Sequence, residues 1–236
     1  MTLDLTIRRA QLYCFLADTF LYPQESWLEH LPHLHGILCD LGLDEFLPPE
    51  FDFSLAALQE EHRRAFGLTG SLCYETEYGL PDEFRQSQEM ADIAGFYHAF
   101  GFRLGGSRHE RPDHLATQLE FLYVLSLKEA VAEEKGIEEH VEVCIEARKA
   151  FLRDHLGRWI DLLAEGVKRG AALAVDRQPD GTPYTWLARL AAGFIKADAQ
   201  SLGVTPQVLL RRETAPTPLP MDLSCEGCPA ADLGSI

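Results

Sequence analysis

The sequence predicts an all-α protein: a single-domain helical bundle of two subdomains joined by a glycine-containing connector, followed by a flexible tail. Three observations point to it. Apolar residues recur with the 3.6-residue helical period along most of the chain. No run of four or more alternating residues bounded by turns marks a strand. From Thr214 onward the composition shifts to Pro, Thr and Gly, including Pro216, Pro218 and Pro220. The expected boundaries are 1–213 for the helical domain, with subdomains of about 1–104 and 105–213, and 214–236 for the tail.

Leu5, Leu12, Phe15, Leu16 and Phe20 share one face of a first helix expected to run to about Leu21 and stop at Pro23. Thr6-Ile7-Arg8-Arg9 ahead of this apolar run has the outline of a twin-arginine export signal. Asp18 interrupts the run and no small-residue cleavage site follows, so the segment reads as an amphipathic helix. A short helix is expected around Trp27 and another from His33 to Leu41, with Gly42 as its stop. Pro48-Pro49 marks a loop, and Ser54 is placed to cap a helix reaching Phe66. Ser71 to Phe84 has neither period and reads as an ordered loop. Met90, Ile93, Ala94, Tyr97 and Phe100 then form one helical face.

Phe102 to Pro112 is the connector, containing Gly105 and Gly106. After it, Asp113 is expected to cap the longest helix, which runs to about Lys135 and stops at Gly136. The centre of that helix, Leu119 to Leu127, is apolar nearly all round and should be buried. A further helix starts near Glu138, and the pattern continues through Trp159, Ile160, Leu163 and Val167 to Gly170. The last strong helix spans Tyr184 to Leu202, and Thr205-Pro206 is expected to open a short terminal one.

With 236 residues and 46% apolar content, the chain can bury roughly 70% of its unfolded surface and needs neither disulfide nor metal to fold. Its 21 Lys and Arg against 37 Asp and Glu give a net charge of −16. That surface repels nucleic acid and anionic membranes and favours cationic partners, a basic peptide among them. No stretch of about 18 apolar residues is present to span a membrane. Cys14, Cys39, Cys73 and Cys144 stand singly and read as buried or neutral thiols of a reducing compartment, which points to the cytoplasm.

Catalytic motifs are sparse. The chain has no glycine-rich phosphate loop and no Gly-x-Ser-x-Gly elbow. None of its nine histidines follows a Glu by three residues, as a di-iron bundle requires. His30, His33 and His35 cluster across an expected break at Pro32 and do not form a convincing ligand set. Cys225 and Cys228 have the Cys-x-x-Cys spacing, but structural zinc takes about four ligands and no second pair exists. A metal-linked redox module built on those two cysteines is the alternative to a non-enzymatic binding protein without a cofactor.

The most informative stretch is Glu110-Arg111-Pro112-Asp113-His114, followed by Leu115 to Leu122. Asp113 can accept a hydrogen bond from the first helical turn, and His114 beside it lies near the positive end of the helix dipole, which lowers its pKa. Glu120, between Leu119 and Phe121 on a helix expected to be buried, would need a partner such as an arginine from another helix.

This stretch resembles the signature of the TorD/DmsD/NarJ group of redox-enzyme maturation chaperones, through Glu110, Pro112, Asp113, His114, Leu115, Leu119, Glu120 and Phe121. Tyr74-Glu75-Thr76-Glu77-Tyr78 is similar to a second family loop, Ile93 to Gly101 to the helix before the connector, and His155-Leu156 with Trp159 to a later element. One departure is Gln118, where the family often carries a second acid. The resemblance implies an all-helical cytoplasmic protein that binds the apo catalytic subunit of a molybdopterin-dependent oxidoreductase, and often its twin-arginine leader, until the cofactor is loaded. It further implies Asp113, His114 and the connector glycines Gly105 and Gly106 in leader recognition. Tyr74, Glu75, Tyr78, Glu110, Pro112 and Glu120 join them as candidate partner-binding residues. Monomer and homodimer both remain open.

Overall fold

A computed structural model describes residues 3–67, 73–79, 82–105, 110–172 and 181–209. Among these the chain forms eight α-helices: α1 (Leu3–Thr19), α2 (Leu31–Asp40), α3 (Leu55–Phe66), α4 (Glu83–Ala99), α5 (Leu115–Lys135), α6 (Glu138–Asp154), α7 (Ile160–Ala172) and α8 (Pro183–Ser201). Four single 3-10 turns punctuate them. The described residues contain no strand, only an isolated antiparallel bridge between Tyr74 and His114. The all-α expectation holds. Residues 214–236, including Cys225 and Cys228, lie outside the described residues.

Side-chain caps open four of the eight described helices. Ser54 accepts from the Ala57 N–H at 3.3 Å to open α3, and Asp82 accepts from the Arg85 N–H at 2.9 Å to open α4. Thr182 and Thr185 cap each other's backbone N–H groups at the head of α8, with Pro183 in its first turn. Pro32, expected to break a helix, instead lies in the first turn of α2, where a missing N–H costs nothing. Gly136 ends α5 at a φ of 65°, a left-handed conformation that a side chain disfavours.

Helix α5 is the axis of the fold, packed between α1 and α6. Leu115, Leu119, Phe121, Leu122 and Leu125 are fully buried in the main core cluster. It is not buried all round, as its sequence suggests: Glu120, Leu127 and Val131 face solvent. The neighbouring helices cover two sides of α5 and leave this third stripe open. Helix α1 runs antiparallel to α5, since Arg9 pairs with Glu129 at 2.9 Å while Cys14 is hydrogen-bonded to Tyr123. The Tyr13 hydroxyl donates to Asp198 at 2.6 Å and ties α1 to α8.

Two local features were not legible in the sequence. The expected terminal helix at Thr205-Pro206 does not form within 204–209. That segment runs irregularly across the α6–α7 junction, where the Leu209 N–H donates to the Arg158 carbonyl at 2.9 Å. On α8, Gly193 lets the Phe46 ring lie on the helix backbone; a β-carbon there would overlap the ring. Phe46 cannot easily retreat, because its carbonyl accepts from the Trp186 indole at 3.0 Å. Gly193→Ala is therefore expected to destabilise the fold by about 1–3 kcal/mol. A denaturant midpoint equal to wild type would show that the ring finds another seat.

Candidate functional site

The Tyr74–Tyr78 loop and the Glu110–His114 segment are joined by backbone. The Glu75 N–H donates to the Asp113 carbonyl at 3.0 Å, and the Leu115 N–H donates to the Cys73 carbonyl at 2.8 Å. Both segments are loops, so each supplies the backbone partners the other lacks. Helix α4 supports them from outside. Its Tyr97 hydroxyl donates to the Pro112 carbonyl at 2.7 Å, and Gln86 donates to the Thr76 carbonyl at 2.9 Å.

Asp113 is fully buried, yet it does not cap α5. Its carboxylate accepts from the Thr76 N–H (3.2 Å), the Thr76 hydroxyl (2.7 Å) and both Nε and Nη2 of Arg111 (3.0 and 2.9 Å). The cap is His114, whose Nδ1 accepts from the Ala116 N–H at 3.1 Å. The sequence assigned the cap to Asp113 because a carboxylate is the commoner capping group. The two backbone links displace the helix start by one residue, and the carboxylate turns to the Thr76 loop instead. Burial holds the His114 pKa below its ordinary value, which keeps Nδ1 free to accept.

Above this pair the surface is aromatic and charged. The Tyr74 ring meets His114 edge-on at 5.0 Å, and the Arg111 guanidinium lies 4.7 Å from the Tyr74 centroid. The Tyr74 hydroxyl donates to Glu110 at 3.2 Å, and desolvation together with that carboxylate pushes the phenol to about 12.

Below the loop lies a second buried cluster. Glu75, fully buried, accepts from the Gln118 amide at 2.5 Å and contacts His155 Nδ1 at 3.1 Å. The other face of the ring, Nε2, is 3.2 Å from Asp92 on α4. The Gln118 carbonyl accepts from the Trp159 indole at 3.2 Å, and Tyr78 packs on that indole with centroids 5.2 Å apart. Gln118 thus donates one way and accepts the other. An acid at this position would face the Glu75 carboxylate without a donor between them.

The structure therefore brings Tyr74, Glu75, Tyr78, Glu110, Pro112, Asp113 and His114 together. Gly105 stands exposed at the edge of the described connector, and Gly106 lies outside the described residues. Glu120 is elsewhere: it is solvent-facing, beside Asp18 of α1. The buried carboxylate expected at Glu120 is Glu129, nine residues on, paired with Arg9 and Arg148. Its spacing of four from Leu125 and seven from Leu122 puts it on the inward face, a signal present in the sequence. Arg111, Gln118, His155 and Trp159 also belong to the site. Among the described residues no group of three or more His, Cys, Asp or Glu could hold a metal ion, and no helix is long and apolar enough to cross a membrane.

The two histidines predict opposite pH dependence. Burial alone would lower the His155 pKa, but the hydrogen bond and charge of Glu75, with Asp92 and Asp154, outweigh it and raise the pKa. A raised value adds stability below the unfolded pKa of about 6.5, and that stability is lost as pH rises through the folded pKa. His114, whose pKa is lowered, acts the other way and withdraws stability as pH falls below about 6.5. In urea midpoints measured from about pH 5 to about pH 9, His155→Gln should flatten the alkaline limb and His114→Gln the acid limb. Parallel profiles for wild type and both variants would exclude this assignment.

A family model described as nitrate reductase delta subunit matches residues 41–165, which include every site residue above. The chain belongs to this family. Among its relatives is a protein of Vibrio parahaemolyticus called chaperone protein TorD, 24% identical over 83% of this chain and 94% of the relative. A TorD chaperone of Vibrio cholerae is 28% identical over 83% of this chain and 92% of the relative. A selenate reductase assembly chaperone protein of Thauera selenatis is 33% identical over 63% of this chain and 70% of the relative. The resemblance carried by Glu110 to Phe121 and by the Tyr74 loop is thus to the family the chain belongs to.

Proposed function

We propose that this protein is a cytoplasmic assembly chaperone for the catalytic subunit of a molybdopterin-dependent oxidoreductase, without catalytic activity of its own. It binds that subunit in its apo form, and its twin-arginine leader where one is present, and releases it once the cofactor is loaded. The observation that carries this reading is the match over 83% of the chain to relatives named as chaperones. The site geometry supports it. Glu75, Asp113 and His114 are buried and committed to protein partners, so their work is to position the loop. Tyr74, Glu110 and Arg111 form the accessible edge that meets the partner, with Tyr78, Pro112 and the connector glycine Gly105 beside it.

The test is co-expression of the tagged full chain with a candidate molybdoenzyme catalytic subunit in cells able or unable to make molybdopterin. The apo subunit should co-purify and the loaded subunit should not. Equal capture of both forms would contradict the maturation role. Glu110→Ala, a change at the edge that leaves the Asp113 contacts in place, should weaken capture about tenfold while leaving the melting temperature within about 2 °C.

A further inference from the structure

Structural zinc takes about four nitrogen and sulfur ligands, and Cys225-Glu226-Gly227-Cys228 offers two thiols at the usual spacing. The chain has no second Cys-x-x-Cys, but its fold makes a pair of another kind on α2. His35 and Cys39 lie one helical turn apart, and both are exposed. The Cys39 Sγ is 3.7 Å from the His35 Nδ1. Zn–S bonds of about 2.3 Å and Zn–N bonds of about 2.0–2.1 Å at the tetrahedral angle put sulfur and nitrogen roughly 3.6 Å apart. A divalent ion can therefore replace the proton between the two atoms with little movement of either side chain. Leu34 and Leu38, each one residue before a member of the pair, are buried in the core and fix the orientation of α2. Because Pro32 lies in the first turn of α2, His33 and His35 share that helix, and the spacing of two sends His33 to another face.

Two ligands do not hold zinc, and among the described residues no group of three or more His, Cys, Asp or Glu completes the set. Cys225 and Cys228 belong to residues 210–236, outside the described residues. Cys225 comes 16 residues after Leu209. A segment of that length spans up to about 50 Å, and a folded body of this size is roughly 45 Å across. The departure point is also linked to α2 by side chains. Asp40, next to Cys39, pairs with Arg8 at 2.9 Å, and the adjacent Arg9 joins the Glu129–Arg148–Asp198 network at the C-terminal end of α8. We propose that His35, Cys39, Cys225 and Cys228 form a four-ligand zinc(II) site within one chain, which ties the C-terminal segment to α2. Three thiolates and one imidazole are a donor set of structural zinc. With four protein ligands the ion keeps no open position, so it fixes structure and performs no reaction. The site stands independently of the chaperone reading.

The experiment is titration of the full chain, stripped of metal under reducing conditions, with cobalt(II) as a spectroscopic stand-in and with zinc(II) against a chromogenic chelator. Wild type should bind one ion per chain without a change of oligomeric state, and saturated cobalt should show tetrahedral visible bands and a thiolate-to-cobalt charge-transfer band. Cys39→Ser and His35→Ala should each weaken zinc binding about a hundredfold or more. At saturation, Cys39→Ser should lower the charge-transfer band by about one third and Cys225→Ser/Cys228→Ser by about two thirds, while His35→Ala leaves it intact, since the band counts thiolates. Cys14→Ser and His33→Ala should match wild type. His35 and Cys39 are exposed, so the helical circular-dichroism signal of the apo variants should be unchanged. A wild type without the tetrahedral spectrum overturns the site, and so does zinc binding that Cys39→Ser and His35→Ala leave undiminished. Metal-dependent dimerisation of wild type would assign the tail thiols to a second copy and overturn the single-chain site.

Discussion

Arg148→Ala is expected to destabilise the protein by about 3–5 kcal/mol, the range for leaving a buried charge without its partner. Arg148 is fully buried on α6, with Nη1 on Glu129 at 2.5 Å and Nε 3.4 Å from Asp198. Glu129 also takes Arg9 at 2.9 Å, and Asp198 takes the Tyr13 hydroxyl. Two cations and two anions from α1, α5, α6 and α8 thus neutralise one another inside the bundle. Loss of Arg148 leaves Asp198 with only a phenol and Glu129 with only Arg9. Burial already raises the Glu129 pKa against the pull of Arg148 and Arg9, so its charged form depends on both. Arg148→Lys should recover only part of the loss, because a single ammonium cannot span Glu129 and Asp198 as the guanidinium fork does. Given a total stability of about 5–15 kcal/mol, Arg148→Ala should leave a protein that melts far below wild type. Urea unfolding with an unchanged slope is the measurement, and a loss below about 1 kcal/mol would mean that water reaches the network.

Asp113 gives the second large effect, and there the structure reverses what its sequence position suggests. As a simple cap, Asp113 would tolerate asparagine. In the structure the carboxylate faces the Thr76 N–H, the Thr76 hydroxyl and two guanidinium N–H groups. An asparagine amide would turn its own N–H groups against Arg111. Asp113→Ala is expected to cost about 2–3 kcal/mol, less than a fully buried pair because Arg111 is partly exposed and rehydrates. Asp113→Asn should recover less than half of that. Both variants should free residues 73–79, read as faster amide exchange in that loop and weaker capture of the apo subunit. His114→Ala should differ, costing about 0.5–2 kcal/mol and fraying only the first turn of α5. Slow exchange in the loop of Asp113→Ala would show that the backbone links alone hold it.

The helical class, the caps at Ser54 and Gly136 and the inward faces of α1, α5 and α8 follow from the chain itself, because period and capping chemistry are local. The motif from Glu110 to Phe121 and the Tyr74 loop were also legible as the candidate site, and their sequence separation gave no hint that Tyr74 bridges to His114. What only the tertiary structure decided is how each buried polar group is satisfied. Asp113 turns away from the helix it precedes because Thr76 and Arg111 reach it first. Gln118 is neutral because Glu75 and Trp159 need a donor and an acceptor at one point. Glu120 is exposed while Glu129 is buried because α1 and α6 cover two sides of α5 and leave a third open. A charge inside a fold is stable only with partners brought from elsewhere in the chain, and which residues arrive is fixed by packing rather than by the local sequence.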